Sequence, residues 1–149
     1  LQEKAFKISQ DIVDLNQNIL IVADEEFHEW VVGIVAGKLT EKYYKPSAVF
    51  KIDKEKGMAV ASLRGPDYFN IIQMLWEAPE LMVRFGWHKQ AWWLAINLDK
   101  LEELKDFMRD YCNKNIKESD LQKSLKILLK FSNNKNHFSD VLIFSDHWL

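Results

Sequence analysis

Ser62 and Arg64 are the residues whose types and spacing best fit an anion. They lie two apart at the end of a segment that reads as a strand, so alternation places both side chains on one face. A hydroxyl beside a guanidinium fork suits a phosphate group, because both donate hydrogen bonds to its oxygens. The competing interpretation is an exposed arginine paired with a surface acid, and the spacing alone does not separate the two.

Two histidines lie next to turns or helix starts, where backbone N–H groups can face an anion. His88 follows Gly86 in a segment that we predict to be a loop, and Lys89 adds a positive charge there. His88 could donate to a phosphate oxygen or a base edge, or be an ordinary structural histidine. His28 precedes a predicted helix, where capping is the simpler role and facing the same ligand is the alternative.

Patterns typical of catalysis or metal binding are missing from the sequence. There is no Ser-His-Asp arrangement, no phosphate loop of the GKS or GKT kind, and no pair of carboxylates in an apolar setting. Ser145-Asp146-His147 offers two possible metal ligands, but an ordinary polar turn is the better interpretation. We therefore predict no catalytic residue, metal site or cofactor site in this chain.

Composition limits the possible classes of protein. Of the 149 residues 48% are hydrophobic, enough for the core of one domain, and the net charge of -2 argues against a strongly basic nucleic-acid module. A local basic groove stays possible. No apolar run reaches the roughly 18 residues of a membrane span, and a lone Cys112 forms no internal disulfide. The chain starts at Leu1 without a signal peptide, so we expect a fragment of a longer cytoplasmic protein without a membrane partner.

Hydrophobic patterns predict an α/β domain in which strands and helices alternate. Helices are predicted at 1–15, 30–44, 69–75 and 79–83, then after Asp99 and at 120–130. Strands are predicted at 19–23, 47–52, 58–63, 93–98 and 141–144, with a polar hairpin loop at 53–57 and a further loop at 86–90. Asp99 with Glu102, and Ser119 with Gln122, are capping patterns for the last two helices.

Four segments resemble one known family in order and spacing. His28–Leu39 resembles the H-x-G-V-x-G-I-V-A-x-x-L run of RecJ-type single-strand-specific exonucleases, and Tyr43–Pro46 resembles the Y-x-x-P that follows it. Ser62–Arg64 resembles the S-x-R of that family, and Gly86–Trp93 the G-G-H-x-x-A-A/G-G loop of its DHH-associated domain. The resemblance extends over about residues 19–112.

This resemblance implies a fold and a division of the chain. The fold would be a mixed β-sheet flanked by helices, with residues 1–16 as the end of an interdomain linker helix. Residues 17–112 would be the DHH-associated substrate-binding domain, and 113–149 a linker and the possible start of an oligonucleotide-binding domain. The residues that would face the phosphates are Ser62, Arg64, Gly86, His88 and Lys89, with His28 as a further candidate.

The resemblance also implies a function. The parent protein would be a 5′-to-3′ single-stranded DNA exonuclease whose catalytic domain, lying upstream, holds manganese or magnesium. This fragment would grip the backbone of single-stranded nucleic acid, most simply DNA, and would be inactive alone. Two alternatives stay open: a DHH-family phosphodiesterase acting on short oligonucleotides or cyclic dinucleotides, and a non-catalytic nucleic-acid-binding module. The sequence gives no prediction of oligomeric state.

The chain departs from the family pattern at glycines. Tryptophan replaces glycine at Trp30, Trp87 and Trp93, and replaces alanine or glycine at Trp92. An indole lacks the backbone freedom of glycine, and we expect it to overfill tightly packed positions at a cost of roughly 1–3 kcal/mol each.

Three interpretations of these tryptophans are open. The indoles could stack unpaired bases, the chain could be an inactive copy, or UGA codons that the organism reads as glycine could have been translated as tryptophan. We favour the third, because the replacements fall selectively on glycine positions.

Overall fold

A five-stranded mixed sheet with helices on both faces forms the domain in the computed structural model, which describes residues 1–88 and 91–121. The elements are α1 (Gln2–Ile12), β1 (Leu20–Asp24), α2 (Glu29–Tyr43), β2 (Ser47–Asp53), β3 (Met58–Arg64), α3 (Ile71–Trp76), β4 (Arg84–His88), β5 (Ala91–Asn97) and α4 (Leu101–Asn115). The strand order is β1-β2-β3-β5-β4, with β1 and β2 parallel and the other pairs antiparallel. The predicted α/β class with a mixed sheet is confirmed.

One face of the sheet packs against α2 and, beyond it, α1. Leu20 and Val49 point to this face and are fully buried against Val35 and Leu39 of α2. Phe6 of α1 completes this cluster. Because α2 packs on β2 and β3, this core lies under one half of the sheet.

The opposite face carries the larger core. Leu63, Leu94 and Ile96, from β3 and β5, are fully buried there together with Met74 of α3 and Leu104 of α4. Strand alternation explains the division, since successive side chains point to opposite faces. The neighbours of Leu63 along β3, Ser62 and Arg64, therefore point to the α2 face.

The end of α2 is fixed by specific contacts. Tyr44 adopts the left-handed conformation with φ 54°, and its N–H donates to the Thr40 carbonyl at 2.9 Å. Pro46 follows, which agrees with the predicted stop. Ser47 Oγ, at the start of β2, donates to the Ala36 carbonyl at 2.7 Å. These bonds fix α2 against the strands that hold Ser62 and Arg64.

Two local predictions are wrong. Gly86 and His88 do not lie in a loop but in β4, paired antiparallel with β5. Gly86 has no positive φ, because the ladder to β5 holds it extended. Asp99 does not cap α4 through its side chain: a 3-10 turn at Leu98–Lys100 precedes the helix, and Lys100 is its N-cap without a side-chain bond.

Other predictions are met approximately or lie outside the described residues. The hairpin loop at 53–57 is present, with Gly57 at φ 64°, and the helix expected at 79–83 is a short 3-10 turn at Pro79–Leu81. Lys89, nearly all of the helix predicted at 120–130, the strand predicted at 141–144, and Ser145–His147 lie outside the described residues. The division at residues 16 and 112 stays a prediction. In the described part, no helix is long and apolar enough to cross a membrane.

Candidate phosphate-binding site

The sheet face that carries α2 is covered over only part of its width. The register places Ser62 of β3 opposite Trp93 of β5, and Trp93 opposite Gly86 of β4. By alternation Arg64 and His88 lie on the same face, each two residues further along its strand. Four of the predicted site residues (Ser62, Arg64, Gly86 and His88) therefore share one face.

Arg64 lies against the glycine positions of α2. A Cβ built on Gly33 would stand 3.8 Å from Nη2 of Arg64, and one built on Gly37 would stand 3.8 Å from its Nε. Thr40 Oγ1 lies 3.3 Å from the Arg64 carbonyl, which fixes the backbone at this point. The backbone of α2 therefore passes close to the guanidinium at these two glycines, with room for no more than a methyl group at ordinary contact distance.

The charge of Arg64 has no acidic partner in the described part of the chain. Its side chain is half-buried, and its Nη1 donates a long hydrogen bond of 3.5 Å to the Leu63 carbonyl. Burial without a compensating anion lowers the pKa of Arg64. An arginine still carries its charge at neutral pH, so this group is a half-buried cation that an anion would stabilise.

A pocket of about 270 Å³ lies between the first turns of α2 and strands β3, β5 and β4, and Arg64 is not among the residues that line it. Ser62 lines it, and a Cβ on Gly33 would stand 3.4 Å from Ser62 Oγ. Arg84 and Glu29 also line it. The positive end of the α2 dipole and the guanidinium of Arg84 favour an anion here, whereas the carboxylate of Glu29 opposes one.

His28 is not brought to this pocket. It is the exposed N-cap residue of α2, but its side chain makes no capping hydrogen bond, so the predicted capping is wrong. Its ring lies 6.4 Å from that of Trp30, and His28 lines a separate pocket against α1 with Lys4 and Glu26.

Gly86 and His88 occupy the edge strand of the same face. A Cβ on Gly86 would stand 2.8 Å from Cζ2 of Trp93, so the indole lies across Gly86 and only glycine fits below it. His88 is exposed at the end of β4, opposite Ala91, and does not line the pocket. The backbone of Gly86 is thus covered, while the imidazole of His88 is accessible.

Arg84 is the residue that the sequence reasoning missed. It is exposed at the start of β4, lines the pocket with Ser62, and has its guanidinium carbon 5.8 Å from the centre of the Trp93 ring. The signal was present in the alternation of Arg84, Gly86 and His88, all of which face one way in a strand. The loop predicted at residues 86–90 would not place these three side chains on one face, whereas a strand does.

The tryptophans do not overfill the fold as expected. Trp30 is 59% exposed, Trp87 60% and Trp93 38%, so their indoles extend along the surface. Trp30 and Trp93 line the pocket on the α2 face, whereas Trp87 and the half-buried Trp92 lie on the other face with ring centres 6.4 Å apart. The predicted overfilling is wrong for the exposed positions, because these indoles extend into solvent and do not have to fit into a packed interior.

Metal binding finds no support in the described residues. Within 1–88 and 91–121 no group of three or more His, Cys, Asp or Glu side chains is placed to hold a metal ion. Arg64 and Arg84, on the α2 face, are cations and would repel a divalent metal there.

Curated relatives match this chain over part of their length, and no family model matches it. The single-stranded-DNA-specific exonuclease RecJ of Bacillus subtilis is 32% identical over 106 residues, which is 71% of this chain and 14% of that protein. The RecJ of Salmonella typhimurium is 29% identical over 85 residues, 54% of this chain and 14% of the relative. The chain therefore spans about a seventh of these two proteins.

Solved structures show the same fold. RecJ from Thermus thermophilus, in complex with Mn²⁺, superposes with a TM-score of 0.65 at 22% identity, over 76% of this chain and 16% of that one. A pGpG-specific phosphodiesterase from Vibrio gives a TM-score of 0.52 at 15% identity, over 76% of this chain and 40% of its own. With the sequence similarity to the curated relatives, these likenesses identify the chain as a member of the RecJ family with the fold of its DHH-associated domain.

Proposed function

We propose that this domain is the substrate-binding part of a single-stranded DNA 5′-to-3′ exonuclease, and that it grips the phosphate backbone for a metal-dependent catalytic domain. The observation that supports this most directly is the half-buried guanidinium of Arg64, which lacks a carboxylate in the described part of the chain and lies beside Ser62. The family relationship supplies the substrate class, since the relatives are single-stranded-DNA-specific exonucleases by name.

The chemistry of the face fits a phosphate held without sequence preference. Arg64 can donate two parallel hydrogen bonds to phosphate oxygens, and the Ser62 hydroxyl can donate a third. The start of α2 adds a favourable partial positive charge. Such contacts bind the backbone and not the bases, so they suit an enzyme that acts on single strands of any sequence.

Bond cleavage would be performed by residues that this domain does not provide. RecJ structures have been solved with manganese or magnesium, and a bound metal would supply the nucleophilic hydroxide for phosphodiester hydrolysis. The described residues provide no such site. We therefore expect the isolated chain to bind single strands without cleaving them; cleavage by the purified chain with added manganese would contradict this assignment.

The experiment measures single-strand affinity in the full-length protein. Arg64→Ala should weaken binding of a 5′-phosphorylated oligonucleotide by roughly 1–3 kcal/mol, measured by fluorescence anisotropy at fixed salt with EDTA to prevent cleavage. Arg109→Ala is the matched control, because Arg109 lies on α4 and pairs with Asp106 at 3.7 Å. An unchanged affinity for Arg64→Ala would remove Arg64 from the site.

The fold of the Vibrio phosphodiesterase favours one alternative, an enzyme acting on very short oligonucleotides. The two proposals differ in the dependence of binding on length. A backbone grip for long strands predicts affinity that rises with oligonucleotide length beyond two nucleotides. A dinucleotide-specific enzyme predicts that a dinucleotide binds as tightly as a longer strand.

A further inference from the structure

We propose that Arg84 is a second phosphate-binding residue of this face and contacts a different phosphate from the one at Ser62 and Arg64. The inference rests on the proposed function, because it extends the same backbone grip to the edge strand. It adds a residue that no motif in the sequence singles out.

The register places Arg84 on the binding face. Arg84 pairs with Ala95 of β5, and Ala95 pairs with Val60 of β3. Since Val60, Ser62 and Arg64 share one face of β3, Arg84 shares that face too. It lines the same pocket as Ser62, and it is exposed, so a ligand can reach it.

The charge environment of Arg84 points to an external anion. The chain has three arginines, at positions 64, 84 and 109. Arg109 pairs with Asp106, whereas within residues 1–88 and 91–121 no carboxylate forms an ion pair with Arg64 or Arg84. Of the two arginines without an acidic partner in the described residues, Arg84 lines the pocket, and Arg64 lies near Gly33 and Ser62, which also line it.

With tryptophan at position 93, as in this sequence, the indole orients the guanidinium of Arg84. The guanidinium carbon lies 5.8 Å from the centre of the indole, close enough for a cation–π contact. A guanidinium that rests against a ring keeps its N–H edges available for a phosphate, so the contact preorganises the group without consuming its donors.

The positions of the two arginines favour two phosphates over one. Arg84 is level with Val60, which lies four residues before Arg64. At 3.3 Å per residue this is about 13 Å along the strands, and two strand spacings of about 4.8 Å separate them across the sheet. The guanidinium of Arg64 is against α2 and that of Arg84 is over Trp93, with Ser62 between them. A single-stranded nucleic acid that binds Arg64 and Ser62 through one phosphate would therefore bring another of its phosphates to Arg84.

The test compares Arg84→Met with Arg109→Met in the full-length protein. Methionine keeps an apolar stem over Trp93 and removes the charge. We expect Arg84→Met to weaken binding of a single-stranded oligonucleotide roughly tenfold, equivalent to about 1.4 kcal/mol. The slope of the logarithm of the binding constant against the logarithm of the salt concentration should become shallower by about 0.7, the value for one phosphate contact on a single strand. Arg109→Met should leave both unchanged.

A double variant decides whether two phosphates are involved. If Arg64 and Arg84 bind separate phosphates, the fold losses of Arg64→Ala and Arg84→Met should multiply in the combined variant. A double variant no weaker than Arg64→Ala alone would overturn the inference. Unchanged affinity in Arg84→Met, with a clear loss in Arg64→Ala, would also overturn it and leave the proposed function standing. Unchanged affinity in both single variants would refute the proposed function itself.

Discussion

Gly33 offers a substitution that should separate stability from binding. It lies inside α2, where glycine destabilises a helix by roughly 0.5–1 kcal/mol relative to alanine. A Cβ at this position would stand 3.4 Å from Ser62 Oγ and 3.8 Å from Arg64 Nη2, which are ordinary contact distances. Gly33→Ala should therefore fit, and raise the free energy of unfolding by about 0.5–1 kcal/mol.

The same methyl group should impair the binding face. It would lie in the pocket beside the Ser62 hydroxyl and occupy space that a phosphate oxygen needs. We expect single-strand affinity to fall about tenfold, or about 1.4 kcal/mol, while stability rises. The free energy of unfolding is measured by urea denaturation, and the affinity by anisotropy in EDTA at constant salt.

Gly37 supplies the matched control. It lies one helical turn further along α2, its Cβ would meet only Arg64 Nε at 3.8 Å among the described atoms, and it does not line the pocket. Gly37→Ala should stabilise the helix by a similar amount and leave the affinity nearly unchanged. Destabilisation of the domain by Gly33→Ala would show that the methyl group does not fit beside Ser62. Binding of DNA by both variants as tightly as by the parent would show that no phosphate occupies the space beside Gly33.

Three further predictions concern the pocket, the core and the tryptophans. Glu29→Gln should tighten single-strand binding a few-fold, because it removes a carboxylate that lines the pocket; an unchanged Kd would mean that no phosphate comes near it. Burial raises the pKa of Cys112 to about 12, so its thiol stays protonated near pH 8 and iodoacetamide should label it only in denaturant; rapid labelling of the native protein would contradict this burial. The reassigned-codon hypothesis predicts TGA codons in the gene, and glycine in peptides from the source organism, at the positions of Trp30, Trp87, Trp92 and Trp93. TGG codons at these positions would refute the hypothesis.

Helices and strands were predictable from the sequence where the local hydrophobic pattern favours the same conformation as the pairing and packing in the folded domain. The hairpin of β2 and β3 follows from two alternating apolar runs around a polar loop, and the structure contains it. The strand at Arg84–His88 was not predictable in the same way. Its glycine favours a turn locally, and only β5, which follows it in sequence and pairs with it, holds it extended.

The site was predictable in part for the same reason. Ser62 and Arg64 lie in a strand that the sequence identifies, so their common face followed from alternation alone. His28 shows the limit of such reasoning, because it lies at the helix start as expected but its side chain makes no capping hydrogen bond. Rotamer and orientation depend on neighbours such as Trp30, and spacing in the sequence carries no information about them.

The partial cover of one sheet face leaves room for the proposed binding surface on the side of α2. Had α2 extended over β5 and β4, the position of Arg84 would be interior, and an apolar residue would be required there. Because α2 packs on β2 and β3, the uncovered strands can carry charge at little desolvation cost. In the proposed backbone grip, Arg64 on the covered side and Arg84 on the edge strand are the two arginines available to separate phosphates of one strand.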